Sequence, residues 1–486
     1  MKIFLSKAFK LNVRWLFLIA ALAQLPFQNV QAIPLFARQV QQNCVSCHVG
    51  GQYPELTPYG RYFKLTGYTQ GTSQWCLDGE SIPLAMSLQA GMNKMQNNKN
   101  AWDNLTDPNT NQPIPLGSPI DARNGKFAPD QTSLYTGGRL ADNVGAFAQY
   151  SFAWDQGDSK HGTFGADNFD LRYADHIVNS KMDLIYGLSL NNNPGVTDVF
   201  NSNPAWAYPF QYSASGSATA PPNQTNLESG FGGGTTRGIN VYFYLNKSYY
   251  GELGLYSKNP GWSKILTFSG SSNGTADLKG QNPYIRLAYT TEWGPSNFMV
   301  GALGMRSQIG DGMNDGQQTT FTDKGLDAQY QYLTDPHVVS AQVRYLNEKI
   351  SDPSGLLYTN PNNTMNSFYA KAMYVYRAKY GAGLAYWSEH GSPDSMAYNS
   401  DPSQIAGGYN SSGALISSNA NMVSASNSPN TSVWIPGIFW QPLQNVRITL
   451  YKTFFTQFLG ARNNYDGNGR NASANNSTYL YLWTAY

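Results

Sequence analysis

From about residue 83 to the C-terminus the chain is built of short stretches in which apolar and polar side chains alternate. This periodicity constrains the fold more than any motif does. About sixteen such stretches lie near residues 83–96, 132–140, 143–154, 168–178, 181–190, 236–246, 248–257, 282–291, 296–306, 323–332, 337–346, 367–376, 378–388, 432–442, 445–456 and 477–486. Each is about as long as a tilted strand must be to cross a bilayer. In one, Met182, Leu184, Tyr186, Leu188 and Leu190 share a face. In another, Leu326, Ala328, Tyr330 and Tyr332 oppose Asp327, Gln329 and Gln331; in a third, Val339, Ala341, Val343 and Tyr345 oppose Ser340, Gln342 and Arg344. Period two with one apolar face means a sheet with one side in apolar surroundings.

The connections between these stretches alternate short and long. Short ones sit near 141–142, 179–180, 247, 292–295, 333–336, 377 and 443–444. Long ones fall near 97–131, 155–167, 191–235, 258–281, 307–322, 347–366, 389–431 and 457–476. Outer-membrane barrels have short periplasmic turns and long outer loops, and closure leaves no unpaired edge in lipid. The pattern predicts an all-β fold: a transmembrane β-barrel of about 16 antiparallel strands over residues 81–486, with both termini in the periplasm. Composition agrees, since charged residues are 13% of the chain and aromatics 14%, with 33 Tyr and 47 Gly. A soluble protein of this size carries more charge, and a disordered one fewer aromatics. A soluble β-helix or sandwich is the alternative. The last residues, Tyr479 to Tyr486, read as a strand ending in an aromatic. Net charge is +2, which gives no sign of nucleic-acid binding.

The N-terminus differs. Lys2, Lys7, Lys10 and Arg14 precede an apolar run from Trp15 to Leu25, and Val30-Gln31-Ala32 follows. This reads as a secretory signal peptide over residues 1–32, cut before Ile33, because the run is too short for a comfortable membrane span. Residues 33–80 then hold all three cysteines, Cys44, Cys47 and Cys76. Cys44-Val45-Ser46-Cys47-His48 is the c-type haem attachment pattern: two thiols for two thioethers, and an adjacent imidazole as proximal iron ligand. One copy of the motif means one covalently bound haem c. A disulfide or half a zinc site is the alternative for the bare Cys-x-x-Cys. Cys76 is read as a buried thiol. For the distal side of the iron, Met86, Met92 and Met95 are the nearest methionines, with Met86 the candidate carried forward. Met86 and Met92 share even-numbered positions with Leu84, Leu88 and Ala90, so they equally suit the lipid face. His176 is the rival, on the face of Asp170 and Arg172. His161 and His390 fall in outer loops. Arg38, Arg61 and Lys64 flank the motif and are candidates to pair with haem propionates or with the polar barrel wall.

The run Ile33-Pro34-Leu35-Phe36-Ala37-Arg38-Gln39, the haem motif, and Tyr53-Pro54-Glu55-Leu56-Thr57-Pro58-Tyr59-Gly60-Arg61-Tyr62-Phe63-Lys64-Leu65 followed by Gly67-Tyr68 resemble the monohaem cytochrome–porin fusions of iron-oxidising bacteria. The match covers residues 33 to 68, and the remainder is similar in architecture; Val40-Gln41 departs from the Thr-Gly of that family. The resemblance implies an iron(II):cytochrome c oxidoreductase in the outer membrane. Extracellular Fe(II) would donate an electron at the single haem, and a soluble periplasmic cytochrome c or copper protein would accept it. A cytochrome segment tucked into the barrel would hold the haem between the two sides, across an apolar layer about 30 Å thick. A haem-plugged transport porin and a haem enzyme such as a peroxidase are the competing functions. By analogy with porins of similar strand number, a homo-trimer is expected.

Overall fold

The structure is a computed structural model that describes residues 35–51, 55–71, 83–99, 124–154, 163–202, 221–228, 236–259, 277–310, 316–398 and 424–486. The expected signal peptide over residues 1–32, Cys76 and His161 lie outside the described residues. Sixteen strands make one closed antiparallel ring. They are β1 Leu84–Met95, β2 Phe127–Ala141, β3 Val144–Ala153, β4 Thr163–Val178, β5 Asp183–Asn191, β6 Thr236–Leu245, β7 Tyr249–Lys258 and β8 Asn282–Trp293. The ring continues through β9 Ser296–Gly310, β10 Thr319–Leu333, β11 His337–Ser351, β12 Asn362–Tyr376, β13 Tyr380–Gly391 and β14 Thr431–Leu443. It ends with β15, in two parts (Val446–Lys452 and Phe454–Gln457), and β16 Ser477–Ala485. A two-residue segment, Asp277–Leu278, extends β8 along β9. Each strand pairs with the next, and β1 closes the ring by pairing with β16 as well as β2, Ser87 opposite both Ala485 and Ser133.

The alternation read from sequence is the alternation of wall and lumen. In β8, Ile285, Leu287 and Tyr289 are exposed on the outer face, while Tyr284, Arg286 and Ala288 are buried inside. Exposed Tyr249, Tyr289, Trp293, Tyr380 and Trp440 cluster at the short-turn end. An aromatic band at that level suits the boundary between lipid and water. No described helix is long and apolar enough to cross a membrane; the strands provide the crossing. Several strands run further towards the long loops than the alternation suggested. β2 begins at Phe127, β4 at Thr163, β10 at Thr319 and β12 at Asn362, and β11 continues to Ser351. Beyond the bilayer both faces of a strand meet polar surroundings, so pairing continues after the apolar–polar contrast has gone.

The lumen is filled. Three short helices enter from the periplasmic end: α1 Leu35–Val40, α2 Cys44–Cys47 and α3 Pro58–Leu65. From the other end the long connection after β5 folds inward, carrying α4 Pro194–Thr197 and the buried Val199 and Phe200. Residues 221–228 of the same connection also lie inside, where Glu228 pairs with Arg344 of β11. The two fillings meet at Phe200, whose ring lies between the Arg61 and Arg286 guanidinium groups at 5.2 and 5.4 Å. Lumenal Asp170, Arg172, Asp327 and Arg344 are accordingly buried rather than in open water. Tyr68 donates to Asp170 at 2.6 Å, and Arg172 donates to the Thr197 carbonyl at 3.0 Å.

Candidate functional site

The Cys44–His48 segment is pinned at every peptide that matters. His48 N donates to Cys44 O at 2.9 Å, closing one helical turn over the motif. Thr57 N donates to Cys47 O at 2.9 Å, and Thr57 Oγ1 donates to Ser46 O. Thr57 also caps α3 by accepting from Gly60 N at 3.1 Å, with Pro58 at the first helical position. α3 packs directly on the motif: a Cβ at Gly60 would lie 2.2 Å from the Cys47 carbonyl oxygen. Gly60→Ala is therefore expected to push α3 off the motif and lower plug stability by about 1–3 kcal/mol, as overpacking does. Limited proteolysis of the plug would report it, and a variant as resistant as the parent would contradict it.

The plug is anchored to the wall by buried polar contacts. Glu55 lies 3.1 Å from Lys371 of β12 and accepts from Ser340 of β11. Arg61 donates to Asn297 of β9 at 3.1 Å and to Gln329 of β10. Gln331 donates to Leu56 O at 3.0 Å, and Tyr242 of β6 donates to Leu65 O at 2.7 Å.

Between plug, wall and inward connection lies a cavity of about 190 Å³ that is partly open to solvent. Cys44, Cys47 and His48 line it. Phe36, Phe63, Tyr68 and Phe147 line it too, their rings packing at 5.1 to 6.4 Å centroid spacing. Ala85, Tyr135 and Trp483 come from the wall, and Gly195, Val196 and Asn201 from the inward connection. Burial raises both thiols, Cys47 to about 11, so neither rests as a thiolate.

The motif sits nearer one side than the sequence suggested. Asn43 and Val45 share a cleft with the short periplasmic turns at 334–336, 377–379 and 444–445. The cavity runs inward from that mouth, and it is the outer connection that descends to meet it.

Of the three basic candidates, Lys64 alone lines the cavity. Arg61 is spent on the wall, and Arg38 donates to the Leu84 carbonyl. Met86 is 43% exposed on the outer face, pointing to lipid while its neighbour Ala85 faces the cavity, so the structure separates Met86 from the motif. His176 is on the lumenal side, but its Nε2 is 2.7 Å from Asp183 and its ring meets Tyr62 edge-on at 6.2 Å; it does not line the cavity. His390 is exposed at the outer end of β13. Phe147, Tyr135, Trp483 and Val196 were not singled out from sequence. Phe147 lies opposite Asp170 in register, so the face parity that marked Asp170 as lumenal marks Phe147 too. Val196 had no such signal, because it stands in a connection without periodicity.

The ring of paired strands and its apolar outer face define a porin-like outer-membrane β-barrel, closed around a plug that bears a Cys-x-x-Cys-His motif. No protein-family model matches the chain, and no curated protein matches it. Among solved structures it is similar to in-vitro folded OmpT, an outer membrane protein of Vibrio cholerae, at 10% identity and a TM-score of 0.41, covering 83% of this chain and 96% of that one. It is also similar to the anion-selective porin from Comamonas acidovorans (14% identity, TM-score 0.42, 84% and 99% covered) and to Pseudomonas putida OprB (10%, 0.43, 83% and 93%). These are likenesses of outline only.

Proposed function

We propose that this barrel carries one haem c, attached through Cys44 and Cys47 with His48 on the iron, and that it takes electrons from extracellular Fe(II) to a soluble periplasmic acceptor. The observation that carries the reading is the donor set of one cavity. Two thiols and an imidazole line it beside mainly aromatic and aliphatic side chains, a few amides (Asn43, Asn201 and Gln444) and a single ammonium; these match the vinyl groups, iron, apolar ring and carboxylates of an iron porphyrin. When bound, the haem supplies reversible one-electron exchange at its iron.

The chain's own residues do the remainder. Phe36, Phe63, Tyr68 and Phe147 keep water from the apolar ring. Asn43 and Val45, which flank Cys44, share a cleft with the periplasmic turns, where a soluble acceptor would dock. Gly195, Val196 and Asn201 bring a segment of the outer connection to the same cavity. Glu55, Arg61 and Tyr68 lock the plug in the lumen, so charge can cross where solutes do not. Each Fe(II) oxidised to Fe(III) outside releases one electron to the acceptor.

Mixing the oxidised purified protein with Fe(II) at the organism's working pH is expected to shift the Soret and α bands to the reduced spectrum; bands that never move exclude iron oxidation. A haem-plugged transport porin is the second reading. It draws on the sixteen-stranded wall, a size that encloses an aqueous channel when nothing fills it. Planar-bilayer recordings separate the two: the conduit predicts no steady ion conductance, whereas the porin predicts open channels and solute uptake.

A further inference from the structure

Lys64 is the one formal charge among the described residues that line the cavity. It projects from α3, and its Nζ donates to the backbone carbonyl of Asp198 at 3.1 Å rather than to a carboxylate. The charged groups around it are Asp170 and Arg172 of β4, Asp198 of the inward connection and Glu252 of β7. Each acid has partners of its own. Asp170 accepts from Arg172 at 2.6 Å and from Tyr68. Asp198 lies 3.8 Å from Arg286 and accepts from the Phe200 and Ser202 amides. Glu252 accepts from Asn240 and Tyr250. Among the described residues, Lys64 thus has no carboxylate at ion-pair distance. Burial pushes its amine down to about 8. A half-buried ammonium in this state gains from any anion that arrives to compensate it. The space it faces is bounded by Phe63, Tyr68 and Val196, which offer no countercharge.

Resting on the haem reading above, we infer that Lys64 receives a carboxylate of the porphyrin and that its positive charge holds the iron's reduction potential up. A cation at the carboxylate edge opposes the extra positive charge of the ferric state. Lys64 acts through the porphyrin's carboxylate and is a positioning residue, not a ligand.

The test uses the full-length, haem-loaded protein in detergent, compared with Lys64→Met, Lys64→Gln and Lys64→Arg. Two readouts are taken: the midpoint potential by spectroelectrochemical titration, and the propionate bands in resonance Raman spectra. Met and Gln are expected to lower the potential and move the propionate bands, with haem still attached to Cys44 and Cys47 in full yield. Arg is expected to keep both close to the parent. Gln retains a donor for the Asp198 carbonyl, so it reports on charge even if Met fails to assemble. A neutral variant that holds its haem with the parent's potential and bands overturns the inference. A parent protein with no haem mass on Cys44 and Cys47 overturns both this and the reading beneath it, and mass spectrometry tells that failure from the other.

Discussion

A protein with serine at both Cys44 and Cys47 is expected to reach the outer membrane as a folded barrel with no covalent haem at all. The two sulfur atoms are the points of attachment in the Cys-x-x-Cys-His pattern, and an oxygen cannot replace the thioether. The fold tolerates the change for a separate reason. Both thiols are only half-buried at the cavity wall, and the wall is held by strand pairing that does not involve them. Intact-mass measurement should show the haem increment on the parent and none on the variant. Heat-modifiable mobility on gels should show both as closed barrels. An increment that survives in the variant would refute the attachment site, and a parent without one would refute the cofactor.

The second large effect concerns stability. Arg286→Met should cost about 3–5 kcal/mol, because it strips a buried carboxylate of its partner. The Arg286 guanidinium grips Asp327 of β10 through two bonds of 2.6 Å and also donates to Ser202 at 3.1 Å. It lies over the Phe200 ring where the plug and the inward connection meet. Removing Asp327 together with Arg286, as Arg286→Met with Asp327→Leu, should restore part of the loss, since Asp327 is then no longer an orphaned charge, while Asp198, 3.8 Å from Arg286, still loses its partner. Urea unfolding in detergent would measure it as a fall in midpoint at constant slope. If the single variant is as stable as the double, the pair is not what holds this layer of the lumen.

How much of this was legible beforehand follows from which forces act locally. The strands were, because lipid on one side and a polar lumen on the other impose a two-residue period. Leu326 lies outside and Asp327 inside as that period requires. The strand ends were not, because pairing outlasts the contrast that reveals it, as from Asn362 to Asn366 in β12. The Cys-x-x-Cys-His pattern stood out in five residues. The fate of the basic residues beside it was not: Arg61 and Lys64, three positions apart on α3, lie on neighbouring sides of the helix, and tertiary contacts alone send Arg61 to the wall and Lys64 to the cavity. Met86 suited either a lipid-facing or an inward role by composition, and its parity with exposed Leu84 decided for lipid. Least legible was the connection after β5. Its Pro194–Ser202 stretch turns inward through backbone caps, such as Asn193 accepting from Val196 N, and through tertiary contacts with plug residues distant in sequence.

The seam of the wall has one more consequence. The cylinder shuts where β1 meets β16, so the earliest and the latest wall strands to leave the ribosome become neighbours. On the haem reading proposed above, a segment bearing a bulky pigment is poorly suited to threading a shut bore that is already stoppered from the far side by residues 194–202. Attachment of the pigment is thus expected to come first and shutting last. Polypeptides that miss this early step would still close, leaving the cell surface studded with cylinders that look intact and carry no current.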